Sequence, residues 1–580
     1  MPLTGNHSWQ QASRLLAALL LLLPGTPPLA AAVQLVIARE NIRIDDQQAQ
    51  KITLNGQLPG PTLHFKEDEQ AEITVTNHLD VPSSIHWHGL LLPGAMDGVP
   101  GLNGFHGIAP GQSFTYRFPL RQAGTYWYHA HSQLQEQDGL YGSLVIAPGT
   151  ATAPEPERDY VVLLSEFHPD SPETILHKLK AIPGYYNSSR RTLVDLFTTA
   201  RRDGWRAALA DRKAWGEMRM DPTDLADVGG YTFLVNGKSP QANWTGLFTP
   251  GERVRLRVIN AAAMSFFDFR IPGLKLEVVA ADGREVKPVS VDEFRIGPAE
   301  TYDVIVTPGS APAYSIAAEA LDRSGMALAT LAVHEGLRAD RPQPRRRSEL
   351  TMADMGMAHA GASHDMAAMD DMPDMPGMPG MPGMQHDKHE AAAAASPAKP
   401  GGWADADTPE GQRALRYEDL ESLHGQSDVR APERDVLIRL TGNMERYSWT
   451  LNGKPEREAE PLRLRQGERV RLKFVNETMM AHPMHLHGMF VQLENGRAAA
   501  AMPDKHTLVV PPGGSLSVLL SVTEPGEWAL HCHLLYHMAS GMMSKVVVDR
   551  LDAAPDSATN TAQPAAAPAM PSGGHAHDHH

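Results

Sequence analysis

Apolar and polar residues alternate in three well-separated stretches, Ile73-Thr74-Val75-Thr76, Val254-Arg255-Leu256-Arg257-Val258 and Val470-Arg471-Leu472-Lys473-Phe474. A period of two is that of a β-strand, whose successive side chains point to opposite faces. Each stretch follows an Asn-Gly pair and closes on an asparagine. Leu54-Asn55-Gly56 leads to Asn77, Val235-Asn236-Gly237 to Asn260, and Leu451-Asn452-Gly453 to Asn476. From first to last asparagine the separations are 22, 24 and 24 residues. Such self-similarity predicts a repeated domain, and the Gly, Pro and Asn punctuation predicts short antiparallel strands in a β-sandwich or Greek-key barrel.

The expected fold class is therefore all-β, in three domains at 33–149, 150–334 and 435–552. Three suits 580 residues, because single cores rarely grow past roughly 250–300 residues. Helical periodicity is scarce, and its main instance, Pro172 to Asp211, is expected to be a partly helical insertion in the second domain. The ends of the first and third repeats also match: Gly111 precedes His129 by 18 residues and Gly513 precedes His531 by 18. The second repeat has a similar strand at Thr301-Tyr302-Asp303-Val304-Ile305-Val306 but no histidines after it, which suggests a spacer.

Residues 335–434 are expected to link the second and third domains. Within them, 352–389 is low complexity and holds ten of the chain's 26 methionines between Met352 and Met384. Pro and Gly at that density predict a disordered insert. A disordered tail is expected over 553–580, ending Gly574-His575-Ala576-His577-Asp578-His579-His580; its composition suits a metal-binding tail and an incidental end equally. At the other end, Arg14, an apolar run from Leu15 to Leu23 and small residues through Ala32 have the layout of a signal peptide over 1–32. That run is too short to span a bilayer and no other stretch approaches the roughly 20 apolar residues required, so a secreted protein without a membrane span is expected.

With 52 basic and 68 acidic residues the formal charge is −16, which leaves no basic footprint for nucleic acid and favours a cationic substrate or metal ion. The single cysteine, Cys532, rules out an intramolecular disulfide.

Four His-x-His pairs carry the chemistry: His86-Trp87-His88, His129-Ala130-His131, His485-Leu486-His487 and His531-Cys532-His533. On a strand, residues i and i+2 share a face, so each pair presents two imidazoles to one point. Two pairs from the first domain and two from the third would meet where those domains touch. Eight imidazoles and no carboxylate suit copper, although imidazole also accepts zinc or iron. Cys532 must point away from His531 and His533 and so serve a different centre. His482, His537 and Met542 lie where they can complete it, and thiolate, two imidazoles and a thioether form the blue-copper set. Trp87 and Trp127 are expected to pack beside the ligands.

The chain resembles the multicopper oxidases through His86-Trp87-His88-Gly89, Tyr128-His129-Ala130-His131-Ser132, His482-Pro483-Met484-His485-Leu486-His487-Gly488 and His531 through Met542. Within that family it is most similar to the bacterial copper-resistance protein A branch, through Met96-Asp97-Gly98-Val99-Pro100-Gly101, Gln135-Glu136-Gln137-Asp138-Gly139-Leu140-Tyr141-Gly142 and the methionine-rich insert. The resemblance implies three cupredoxin-like domains and four coppers. Type 1 would lie at His482, Cys532, His537 and Met542, type 2 at His86 and His485, and the type 3 pair at His88, His129, His131, His487, His531 and His533. Asp97 would deliver protons and Cys532 would carry electrons. Several members place a carboxylate just after the His-Cys-His segment, where this chain has Leu534, Leu535, Tyr536 and Met538.

The implied activity is a periplasmic oxidase passing electrons from Cu(I), and from phenols as laccases do, to dioxygen, in the service of copper resistance. Thioethers select Cu(I), so Met366, Met369, Met372, Met375, Met378, Met381 and Met384 are expected to recruit or sequester it. Periplasmic copper-binding proteins are candidate partners. A copper-storage protein and a general laccase are the alternatives.

Overall fold

The computed structural model describes residues 31–150, 155–182, 184–218, 220–346, 349–352, 354 and 407–551. The expected leader, nearly all of the methionine-rich segment with Met366 through Met384, and the C-terminal tail lie outside these residues.

Among the described residues six sheets form, two in each repeat: two of four strands in the first, and one of six and one of five in the second and in the third. The repeated asparagines explain why one sequence pattern recurs. Asn55-Gly56, Asn236-Gly237 and Asn452-Gly453 each adopt positive φ at both positions, as a two-residue hairpin turn requires. The side-chain oxygens of Asn55, Asn236 and Asn452 accept from the backbone N–H of Val36, Leu163 and Arg439, tying each turn to the neighbouring strand. The closing asparagines also share one job. Asn77, Asn260 and Asn476 accept from the N–H two residues on. Their amides donate to carbonyls across the domain end, at Ile108, Ile296 and Val510 among others.

The first and third repeats share one continuous apolar core, running from Leu35 and Trp87 to Trp449 and Trp528, while the second repeat has its own around Phe269 and Val304. That shared core brings the two ligand-bearing sheets together. In the first repeat the His86–His88 strand pairs antiparallel with Gly124–His129, setting His86 opposite His129. In the third, His482–Leu486 pairs with Gly526–Cys532, setting His485 opposite His531.

Among the described residues the second repeat carries three helices, Pro172–Ala181, Leu193–Asp203 and Trp205–Glu217. Ser171 caps the first, and Thr192 with Asp195 forms a capping box on the second. The loop after the last helix sets Asp227 against the third repeat, where the Tyr447 hydroxyl donates to the Asp227 carboxylate at 2.6 Å.

Candidate metal centres

Each of the two ligand-bearing sheets contributes four histidines to one interior point. The rings divide into sets whose ligand atoms lie within 4.8 Å of one another: His88, His129 and His533; His131, His487 and His531; and His86, His485 and His487. Every set draws on both repeats. Nε2 of His487 lies 3.1 Å from Nε2 of His531, and Nε2 of His131 lies 3.4 Å from the same atom. Imidazole nitrogens facing one another this closely suit lone pairs converging on a cation.

The outward nitrogens are fixed by protein groups. His86 Nδ1 lies 2.8 Å from the Asp97 carbonyl, His485 Nδ1 2.7 Å from the His506 carbonyl and His531 Nδ1 3.0 Å from the Cys532 carbonyl. His487 Nδ1 lies 2.9 Å from Asp97 Oδ2, and His129 Nδ1 2.7 Å from Glu136 Oε2. Such bonds set the tautomer that leaves the other nitrogen free for a metal. Trp127 stacks on His129 at 4.3 Å between ring centres, while Trp87 packs in the core against Tyr116.

On the opposite face of the same strand, His482, Cys532 and His537 form a separate buried set. The Cys532 sulfur is 3.5 Å from His482 Nδ1 and 3.8 Å from His537 Nδ1. The far nitrogens are anchored: His482 Nε2 lies 2.7 Å from the Thr478 hydroxyl, and His537 Nε2 lies 2.7 Å from Asp227 Oδ2. Trp449 stacks on His537 at 3.8 Å. Met542 is fully buried, with its N–H donating to the His537 carbonyl and its carbonyl accepting from Cys532 N–H.

Burial pushes the imidazoles of His88, His129, His131, His482, His485, His487 and His533 well below their ordinary value. His531 is lowered to about 3 for the same reason. Burial raises the Cys532 thiol and holds the Glu136 carboxyl well above the usual carboxylate range. The histidines are thus neutral and ready to ligate, whereas the thiol gives up its proton only to a metal. Among the described residues, Nε2 of His86, His129 and His485 and both ring nitrogens of His88 and His533 are buried without a hydrogen-bond partner. Orphaned donor atoms gathered at one point, all imidazole, beside a thiol with two more imidazoles, fit copper.

Multicopper oxidase family profiles match residues 36–151, 190–336 and 430–552. The chain belongs to the multicopper oxidase family. It is 46% identical to "Copper resistance protein A" of Escherichia coli, over 90% of this chain and 94% of that one. It is 44% identical to "Copper resistance protein A homolog" of Pseudomonas syringae pv. tomato, over 91% and 94%. Among solved structures, a laccase from Botrytis aclada superposes with a TM-score of 0.62 at 22% identity, covering 89% of this chain and 87% of that one. Fet3p superposes with a TM-score of 0.64 at 17% identity, covering 90% of each. As a multicopper oxidase the protein is an oxidoreductase whose family binds four coppers, one type 1, one type 2 and two type 3.

Four further groups that contact or adjoin these histidines do not stand out in the sequence patterns. Asp227 comes from the repeat expected to be only a spacer, so that description was too small. Asp282, in the same repeat, accepts from the N–H of His506 and of Thr507 with Oδ2, at 3.1 and 3.0 Å. Glu136 was visible only inside a motif of the resemblance. His506 belongs to no His-x-His pair; its one sequence signal is its place directly before the short strand Thr507–Val510.

Proposed function

We propose that this oxidase takes electrons singly from Cu(I), and from phenols, at a type 1 copper held by His482, Cys532, His537 and Met542. It passes them to dioxygen at a cluster in which His86 and His485 hold the type 2 ion. His88, His129, His131, His487, His531 and His533 hold the type 3 pair. The observation that carries this reading is the placement of Cys532 with two imidazoles on one strand face and of His531 and His533 with six more on the other. Bound at these residues, four coppers would supply the single-electron storage that reducing one dioxygen to two waters, with four electrons and four protons, requires.

The chain's own groups shape each stage. Asp227 orients His537 and orders its outer nitrogen. Cys532 links the centres twice, through the backbone to its two neighbours and through its carbonyl to His531 Nδ1. Asp97 holds His86 and His487 together and stands next to the cluster as a proton-handling carboxylate. Glu136 fills the gap left by the apolar residues after His533. Its Oε2 orients His129, and burial holds its carboxyl well above the usual carboxylate range, which suits a group that keeps a proton beside the cluster.

A role in copper resistance is supported by the names of the relatives and by the methionine-rich segment. The described chain before that segment is tied to the body near Asp227: Leu350 N–H donates to the Pro222 carbonyl, and Met352 packs against the core. Met366, Met369, Met372, Met375, Met378, Met381 and Met384 then supply thioethers for Cu(I). Export to the periplasm is the reading of residues 1–32, and periplasmic copper-binding proteins are the partners it implies. No helix of the described residues is long and apolar enough to cross a membrane. The bounds we propose for the three cupredoxin-like domains are 33–149, 150–334 and 435–552.

Copper analysis tests the reading. Purified, copper-loaded protein should hold four coppers at these centres and be blue, while Cys532→Ser should lose one copper and the colour. Colourless wild-type protein overturns it.

A further inference from the structure

Five large apolar side chains stand in solvent on the helical insertion, Leu193, Val194, Phe197, Trp205 and Leu209, each between 52% and 73% exposed. They form one strip. The Phe197 and Trp205 rings meet edge to face, 5.3 Å apart between centres. At the other end of the helix pair, Arg212 donates to the Arg191 and Thr192 carbonyls at 3.2 and 2.6 Å. The helices Leu193–Asp203 and Trp205–Glu217 therefore run antiparallel, with Leu193 and Leu209 each one turn along from the aromatic pair. A continuous apolar strip marks a contact surface, whereas single exposed apolar residues need no partner. The same two helices expose Arg201, Arg202, Arg206 and Lys213. Residues 190–217 hold seven basic and four acidic side chains, in a chain whose net charge is −16.

The chain leading into the methionine-rich segment passes beside this strip. Arg191, next to the helix cap Thr192, donates to Glu349 Oε2 through Nε and Nη2 at 3.1 and 2.8 Å. The last described residue before the segment, Asp354, accepts from the N–H of Thr351 at 2.7 Å. Stretched out, residues 355–406 would reach roughly 170 Å, against roughly 20 Å for the longer helix. From Met366 to Met384 a thioether recurs every third residue, and 355–389 holds five aspartates against one lysine. Pro and Gly at that density give these methionines no core of their own. Thioethers pack well on aromatic rings, and carboxylates pair with guanidinium groups.

We propose that the strip from Leu193 to Leu209 is the docking face for the chain's own segment 355–389. Its methionines rest on Phe197 and Trp205, and its aspartates face Arg201 and Arg206. Full-length, copper-loaded protein with p-benzoylphenylalanine in place of Phe197 reads the contact, because mass spectrometry after irradiation locates the captured peptide. Capture of 355–389 within the same chain should exceed that from the same probe at Leu437, an exposed apolar position of the third repeat. An excess of about tenfold is expected, as a modest docking preference gives. Arg201→Glu with Arg206→Glu should remove most of that excess and leave the blue colour intact. Equal capture from the two positions overturns the proposal, as does capture that charge reversal leaves unchanged. A cross-linked dimer as the main product also overturns it and assigns the strip to a second copy. Should the Phe197 variant lose its colour, the probe at Leu193 decides by the same comparison. Capture reports contact and not turnover, so its failure leaves the oxidase reading standing.

Discussion

His537 Nε2 and Asp227 Oδ2 lie 2.7 Å apart, although 310 residues separate them in the chain and they belong to different repeats. The carboxylate also accepts from the Tyr447 hydroxyl, so the imidazole is held from outside by a fixed, buried acceptor. Partners of this kind set a ligand's orientation and basicity, and losing one typically costs about 10–100-fold in activity or metal affinity. Asp227→Ala should keep the blue colour and slow oxidation of Cu(I) and phenols by about that factor, with Asp227→Asn milder. Steady-state rates normalised to type 1 absorbance check this; an unchanged rate in Asp227→Ala removes Asp227 from the account.

Asp97 and Glu136 act on the other face. Replacing either by its amide keeps size and some hydrogen bonding but removes the ionisable carboxyl group. In Asp97→Asn, reduction of the type 1 centre under nitrogen should proceed normally while oxygen uptake falls about 10–100-fold. Glu136→Gln should show the same split. Equal slowing of both stages would place these residues in folding or electron entry.

Removing the metal exposes a dependence on pH. Burial holds His531 at about 3 and His506 at about 4, and keeps six other cluster histidines well below their ordinary value. In the unfolded chain all titrate near 6.5. Below that pH the unfolded chain binds protons that the native copper-free protein refuses. Stability is therefore present above about pH 6.5 and lost progressively as pH falls toward about 4 and then about 3. Denaturation midpoints of copper-free protein should drop steadily below pH 6.5; a flat profile contradicts the burial.

Asp282 links the second repeat to the cluster. Asp282→Ala leaves Lys505 buried with one partner fewer and should destabilise the protein by about 3–5 kcal/mol. Copper retention at the cluster should fall as well, because the Lys505–Thr507 segment cradles His485. Thermal unfolding together with copper analysis reads both effects.

Copper tolerance separates oxidation from storage. Removing 355–389 spares Met352, which packs in the core. If the methionines feed the oxidase, cells lose copper tolerance while purified protein still oxidises phenols. Cys532→Ser should also abolish tolerance; tolerance that survives Cys532→Ser and fails on the deletion supports storage. Tolerance unaffected by the deletion supports a general laccase.

Much of this was legible in the sequence because it is local. A strand's period of two puts His531 and His533 on one face and Cys532 on the other, whatever the rest of the chain does. The Asn-Gly turns and closing asparagines recur because each makes the same hydrogen bonds in every repeat. Asp227, Asp282 and His506 were not legible, since each acts across repeats from a segment whose own pattern says nothing of its partner. The helical insertion showed as a break in alternation, but its last helix runs to Glu217, beyond the expected Asp211.

The central claim, that Cys532 joins an electron-accepting centre to an oxygen-reducing one, is tested most directly by oxygen uptake with Cu(I) as sole reductant. Four Cu(I) should be oxidised per dioxygen consumed, without hydrogen peroxide, with no uptake above background in Cys532→Ser. Equal uptake by the wild type and Cys532→Ser, or peroxide as the product, would contradict it.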